Sequence, residues 1–441
     1  MNLKFAFLLS FMISALLNTA HAYDVIVAKD GTGKYKTLQE AIDAAPSGRT
    51  TPYNIFIKKG HYPEHLSIPA EKTFIALIGE DVASTYIEYG DGKGGTSTLT
   101  INADDCLLIN LTLENTQGRL SDGPQSLAVR TNGDRAVFYN CRFISGQDTV
   151  LLNGSGKRVY FNSCYIDGNT DFIFGPAIGV FDRCIIYCRD RIDFGKGGYF
   201  TAASTPLAQP YGFVFRNCLL PDNHGVTRYT LGRPWQNDSR SETAGRTRAG
   251  NKVVFLNTKM GNSIMPAGWS AWDAGTQTDV ITYAEYHTTY IDGKPADVSN
   301  RVNWSKQLSA SEAKIYESNT ALFGTWDPYK VWNDLPKHPV GVSLAIANMN
   351  ARAVNNELFL QFNSCWPQGA VTYTLYKNGK PADKIITADS GVVAYQFKIT
   401  QPDAGSADKY VIRASKDKAV LLTDTLSVTT DYILQKQSGK K

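Results

Sequence analysis

Metal-binding vocabulary is nearly absent from this chain. Its six histidines form no His-Glu-x-x-His pattern, its seven cysteines form no Cys-x-x-Cys pair, and methionine occurs only five times. The common zinc frameworks are therefore excluded, and neither a metal nor a cofactor is expected. The glycine cluster Gly90 to Gly95 is followed by no Gly-Lys-Ser/Thr and no helical pattern, which removes a phosphate loop. After residue 22 no apolar run reaches the ~20 residues of a membrane span. A large excess of one charge is missing too: 45 Lys+Arg stand against 41 Asp+Glu, so no nucleic-acid partner is expected. Up to about residue 340 the chain also lacks turn signals at the ~8–12-residue spacing of a β-sandwich.

What is present begins with a targeting signal. Lys4 precedes the apolar run Phe5 to Leu17, which leads into Ala20-His21-Ala22, a small-x-small cleavage pattern. Residues 1–22 read as a secretory signal peptide, with the mature chain starting at Tyr23 and a secreted or periplasmic destination. The remainder divides by texture. Residues 23–336 carry 31 Lys+Arg against 33 Asp+Glu, whereas residues 337–441 carry 13 against 8. In that last part, alternating runs at Val371 to Tyr376 and Val392 to Ile399, with the turn dipeptide Asn378-Gly379, predict a small antiparallel β-sandwich of immunoglobulin or fibronectin type.

Residues 23–336 read as an all-β solenoid. Thr37 and Glu40 form a capping box ahead of Leu38, Ala41, Ile42 and Ala45, which predicts one short helix placed to cover the open first coil. Strand signals then follow without a break. From residue 107 a degenerate four-residue core recurs, as in Phe138-Tyr139-Asn140-Cys141, Phe161-Asn162-Ser163-Cys164, Phe181-Asp182-Arg183-Cys184 and Phe215-Arg216-Asn217-Cys218. Leu108 to Leu111 and Phe255 to Thr258 extend the series, and the spacings are 30, 23, 20, 34 and 40 residues. A constant strand core with variable loops predicts a parallel β-helix. Cys141, Cys164 and Cys184 would stack in one inward column, and Cys164 and Cys184, one coil apart, are the candidate disulfide in an exported chain.

Asp148 and Asp171 lie 23 residues apart, about one coil, within strand-like runs where a carboxylate is disfavoured. Stacked on neighbouring coils they would sit roughly 5 Å from each other. Like charges that close do not both ionise readily, which sets an acid beside a nucleophile. Gln125 and Gln147 supply amides for an oxyanion, and Arg233 can pair with an aspartate through a bidentate fork. These are the groups a hydrolytic acyl-transfer site needs, yet by themselves two aspartates one coil apart are as readily loop or capping residues as catalytic ones, and Arg233 alone reads as a surface salt bridge.

The set resembles a known family. Gln125 to Arg130, Gly146-Gln147-Asp148-Thr149-Val150, Gly168 to Gly175 and Leu231-Gly232-Arg233-Pro234-Trp235 are similar to the four signature segments of pectin methylesterases, in the family's order. Gly60-His61-Tyr62-Pro63-Glu64 resembles a fifth, and the likeness covers roughly residues 23 to 336. The resemblance implies a right-handed parallel β-helix that acts alone on methylated pectin (homogalacturonan), releasing methanol. It assigns Asp171 as nucleophile, Asp148 as general acid and base, Gln125 and Gln147 as oxyanion donors and Arg233 as the partner that keeps Asp171 charged. It further places Phe174, Trp235 and Trp269 along the sugar-binding cleft. Val150 and Asn169-Thr170 depart slightly from the family pattern, and Ser239 to Asn251, with Arg240, Arg246 and Arg248, reads as a disordered insertion, the alternative being an extension of the rim toward the anionic polymer. The competing readings are a pectinolytic lyase or polygalacturonase on the same fold, and a non-catalytic carbohydrate-binding solenoid.

Overall fold

The computed structural model describes residues 23–119, 124–189, 197–222, 228–236 and 249–330, then strands and turns between 345 and 429. The signal-peptide segment 1–22 and most of the Ser239 to Asn251 stretch lie outside the described residues, as does the predicted boundary near residue 337.

From Val25 to Gln307 the chain winds as a parallel β-helix. An eleven-stranded sheet runs from Val25–Val27 to Lys306–Gln307, a nine-stranded sheet from Gly60–Pro63 to Thr289–Tyr290, and a six-stranded sheet from Leu66–Ile68 to Thr201–Ala203, counting described strands. Pairing within all three is parallel, each strand lying on its counterpart in the preceding coil. The recurrent four-residue core explains why. Its first position points inward and stacks on itself: Phe138, Phe161, Phe181, Phe215 and Phe255 are in register, with successive ring centroids 4.6, 4.6, 4.5 and 4.4 Å apart. Its third position makes the bend. Asn110, Asn140, Ser163, Arg183, Asn217 and Asn257 all have φ between 48° and 54°, the left-handed region that asparagine tolerates better than most side chains.

The fourth position holds four buried cysteines, Cys141, Cys164, Cys184 and Cys218. Cys164 and Cys184 are free thiols, so the candidate disulfide does not form. In a parallel stack the side chains of one column point the same way, one strand spacing apart, whereas a disulfide needs Cβ vectors that converge. Each thiol also has a backbone carbonyl to donate to, Asn162 O for Cys164 at 3.4 Å and Asp182 O for Cys184 at 3.5 Å. Burial raises both thiols well above the usual cysteine value, which makes them inert packing groups.

The first coil is covered as expected by a helix, Leu38–Ala44, which buries Leu38, Ala41 and Ile42 in the solenoid core. Its cap differs from the sequence pattern. Thr37 accepts from Glu40 N, but the first two amides of the helix are held by the Glu64 carboxylate, which takes Leu38 N at 3.0 Å and Gln39 N at 3.1 Å. The acidic end of Gly60 to Glu64 thus serves the helix dipole from another coil. At the other end Ser309 and Glu312 form a reciprocal capping box for the helix Ala310–Glu317. Ala313, Leu322 and Phe323 then pack on the outer face of the eleven-stranded sheet.

The C-terminal part contains two antiparallel sheets. Ala345–Val354, Glu357–Cys365 and Val393–Thr400 make one; Lys380–Thr387, Val371–Lys377, Ala407–Lys416 and Ala419–Thr429 make the other. Leu358, Leu360 and Phe397 of the first share a core with Tyr373, Leu375 and Ile412 of the second. Asn378 and Gly379 both have positive φ, as a type I′ hairpin turn requires.

Candidate active site

The six-stranded sheet sets the site on its outer face. Strands Ser126–Thr131, Val150–Leu152, Ile173–Gly175 and Thr201–Ala203 are consecutive neighbours, and each functional group enters just before or beside one of them. Val150 pairs with Ile173, Gln147 bridges to Thr170, and Asp148 N donates to Thr170 O at 3.1 Å. Asp148 and Asp171 therefore occupy equivalent places on adjacent coils. Both have positive φ, 65° and 50°, a conformation costly for most residues and least so for Asp and Asn. The bend turns each carboxylate out of the core.

The two carboxylates live in different surroundings. Asp148 is 6% exposed, and its carboxyl is pushed up to about 8, first by burial and next by the charge of Asp171. Hydrogen bonds from Gln147 and Gln125, and the field of Arg233, offset part of this rise. Asp171 instead receives a fork: Arg233 Nε donates to Oδ1 at 2.8 Å and Nη2 to Oδ2 at 2.6 Å. That bidentate, charge-assisted pair favours the ionised carboxylate.

Arg233 is itself clamped. Its guanidinium carbon lies 4.0 Å from the ring centroids of both Tyr199 and Trp272, so two aromatic faces hold the plane of the fork. The backbone follows: Arg233 N donates to Thr201 O, Leu231 N to Gly268 O, and Ser270 N to Gly232 O. Gly232 passes so close to the sheet that a Cβ there would meet Thr201 Oγ1 at 2.0 Å. The loop bearing Trp272 is tied down in turn by Arg301, which forks onto buried Glu285 at 2.7 and 3.1 Å and donates to Pro266 O at 3.0 Å.

Below Asp148 a second buried pair braces the turn. Asp167 Oδ1 accepts from Ser145 N at 3.2 Å and from Arg189 Nε at 3.0 Å, while Arg189 Nη1 donates to Gly118 O at 2.7 Å. Thr149 Oγ1 donates to Asp167 O at 2.8 Å. These bonds reach both ends of the segment carrying Gln147 and Asp148.

Of the residues expected from the sequence, Asp148, Asp171, Gln125, Gln147 and Arg233 come together here. Phe174 and Trp235 stand beside them, ring centroids 6.1 Å apart, in an outer apolar cluster with Leu127, Leu151 and Ala202. Trp269 does not. It is 1% exposed, packed in the core against Phe255 and Tyr283, so it lines no cleft. The tryptophan of that loop that faces the site is Trp272, 38% exposed. Tyr199 also went unread, since nothing in its local sequence marks a ring that reaches Arg233.

A parallel β-helix with paired carboxylates and an arginine fork on its outer face defines a class, the solenoid hydrolases. Comparison with known proteins narrows it. The family model described as pectinesterase matches residues 24–324. Pectinesterase 4 of Arabidopsis thaliana is 34% identical over 309 residues, covering 66% of this chain and 48% of that relative, so the chain matches about half of that protein's length. The solved pectin methylesterase from carrot is 29% identical with a TM-score of 0.60, covering 68% of this chain and 92% of its own. A pectin methylesterase solved in complex with a hexasaccharide is 29% identical with a TM-score of 0.57, covering 69% and 98%. The chain belongs to the pectinesterase family.

Proposed function

We propose that this chain is a carboxylic ester hydrolase that removes methyl groups from the C6 esters of methylated homogalacturonan, through an acyl-enzyme on Asp171. The feature that supports the reading most is the asymmetry of the pair: an Asp148 carboxyl pushed up to about 8 by burial and by the charge of Asp171, beside an Asp171 held by the Arg233 fork. In the first step an Asp171 oxygen attacks the ester carbonyl carbon while Gln125 and Gln147 donate to the developing oxyanion. The bond from that carbon to methoxy oxygen breaks, and Asp148 gives its proton to the leaving group, which departs as methanol. In the second step ionised Asp148 takes a proton from water, whose oxygen bonds to the acyl carbon as the bond to Asp171 breaks; Asp171 leaves as a carboxylate, and the new galacturonic acid gives its remaining acid proton to solvent. Phe174 and Trp235 would carry the sugar and its methyl group. Secretion through residues 1–22 and action as a single chain belong to the same proposal. Simultaneous titration of acid and assay of methanol from highly methylated pectin tests it. One proton and one methanol are expected per event, and new reducing ends or an ultraviolet-absorbing unsaturated product in their place would refute it.

A pH dependence follows from Asp148. Because the free enzyme needs this group protonated, kcat/KM on methylated pectin is expected to hold through neutrality and to fall above pH about 8, about tenfold per unit. Stability has the same origin and also falls as pH rises, but over a lower range. The folded chain keeps a proton that the unfolded chain loses near the ordinary value of 3.8, so Asp148 lowers stability progressively as pH rises from there to about 8. The expected result is an Asp148→Asn variant that is inactive yet melts higher than wild type at pH 8, with the gap closing at pH 4.

A further inference from the structure

The pectinesterase match ends at residue 324, and the two C-terminal sheets lie beyond it. Residues 337–441 carry a surplus of basic groups, 13 Lys+Arg against 8 Asp+Glu. The four-stranded sheet shows where part of that surplus stands. Val371, Tyr373 and Leu375 are buried in the core together with Tyr410, Ile412 and Ala414. By the alternation of a strand, Thr372, Thr374 and Tyr376 therefore face outward, with Val411, Arg413 and Ser415 beside them, and all are half-buried. The register lays Lys384, Thr374 and Arg413 in one row of this outer face and Ile386, Thr372 and Ser415 in the next. Lys384 is exposed and Ile386 is 64% exposed, so no described segment covers that corner.

Arg413 is held in place and short of partners. Its guanidinium carbon lies 4.7 Å from the ring centroid of Tyr376, Nη1 donates to the Tyr376 hydroxyl at 3.5 Å, and Nε is buried without a partner. Among the described residues no ion pair joins a carboxylate to Arg413 or Lys384. Asp408 is held by Lys377 and by Asn378, each at 2.9 Å, and Glu357 on the other sheet by Lys398 at 2.7 Å. Asp383 stands opposite Leu375 and so alternates away from the face. Two cations without counterions attract an anion, and the planar fork of Arg413 suits one with two coplanar oxygens. The row from Lys384 to Arg413 crosses two strand spacings, roughly 10 Å, which is the scale of two sugar units. The threonine hydroxyls and the Tyr376 ring add partners for sugar hydroxyls and for the apolar face of a sugar ring. Phosphate would take the same fork, but the proposed reaction makes carboxylates, one on each sugar it de-esterifies.

We propose that the outer face of this C-terminal sheet binds de-esterified polyuronate, through Arg413, Lys384 and Tyr376. The choice of polymer rests on the proposed action on methylated homogalacturonan. Held to chains that are already partly de-esterified, the solenoid meets their remaining esters at a raised effective concentration. Each turnover adds to the charge that the face recognises.

Native electrophoresis of the full chain through gels containing polygalacturonate tests it, with dextran sulfate gels and phosphatidylserine vesicles as rival anions. The proteins compared are wild type, Arg413→Gln, Lys384→Gln and Lys398→Gln, the last removing one charge from the other sheet of the same part of the chain. Arg413→Gln is expected to weaken retention by polygalacturonate about tenfold, the size of one charge-assisted contact. Lys384→Gln, at an exposed position that packing does not depend on, should weaken it about threefold. Lys398→Gln should leave it unchanged, and the salt dependence should flatten only in the first two. Methanol release from a short methylated oligogalacturonate should be the same in all four proteins. Retention unchanged in both face variants, or lowered equally by Lys398→Gln, would overturn the proposal, the second by showing that diffuse charge suffices. Tighter binding of wild type to dextran sulfate or to vesicles than to polygalacturonate would overturn it as well. A wild type that shows the expected retention pattern but releases no methanol would refute the proposed reaction and uphold the binding face.

Discussion

Asp171→Asn is expected to lower methanol release from methylated pectin by about 10⁴-fold or more, in the range seen when a covalent nucleophile is removed. Asparagine nearly preserves the shape of the side chain, and the bend at Asp171, with φ of 50°, suits it as well as aspartate. The fold should therefore survive, and circular dichroism and melting temperature check that it does. What goes is the negative oxygen that attacks the ester. The substitution also removes the second largest contribution to the raised value of Asp148, so that carboxyl should titrate below about 8 in the variant. An Asp171→Asn protein with near wild-type turnover would rule out the acyl-enzyme, and an unmoved Asp148 would contradict the coupling of the pair.

The second large effect belongs to Arg233. Arg233→Lys keeps the charge and loses the geometry, so it separates the two. Lysine offers a point charge in place of the two donors at 2.8 and 2.6 Å, and it has no flat face to fill the gap between Tyr199 and Trp272. Without the fork the ionised form of Asp171 is less favoured and a proton is shared more evenly with Asp148, blurring the asymmetry on which the proposed steps depend. A loss of about 10²–10³-fold in kcat is expected, comparable to removing a preorganised electrostatic group, with KM much less affected. Steady-state kinetics on methylated pectin decide it. Retention of more than about a tenth of the rate would mean that charge alone suffices and the aromatic clamp is incidental.

The carboxylate pair was legible before any coordinates, because the spacing between Asp148 and Asp171 is about one turn of a repeating chain. In such a fold a sequence interval is also a distance. The inward column of Cys141, Cys164 and Cys184 was legible for the same reason. The bends were only half legible: the third position of the repeat was visible as polar, but its left-handed backbone emerges when Asn110, Asn140, Arg183 and Asn217 are seen to share one φ. Side-chain direction was the weak point. Cys164 and Cys184 were correctly placed on neighbouring coils and wrongly paired, since a sequence gives adjacency and not the angle between Cβ vectors. Trp269 and Trp272 sit in one loop, and no periodicity there says which ring turns inward.

By itself the sequence determined the solenoid, the register of its coils, the carboxylate pair and the residues that surround it, because each depends on what recurs along the chain. Only the tertiary structure decided the aromatic clamp on Arg233, the Glu64 cap on a helix from another coil, and the Asp167 and Arg189 brace beneath Asp148. Those contacts join segments whose separations share no period. Loops of unequal length bring them together, and where such loops close is settled by packing in three dimensions.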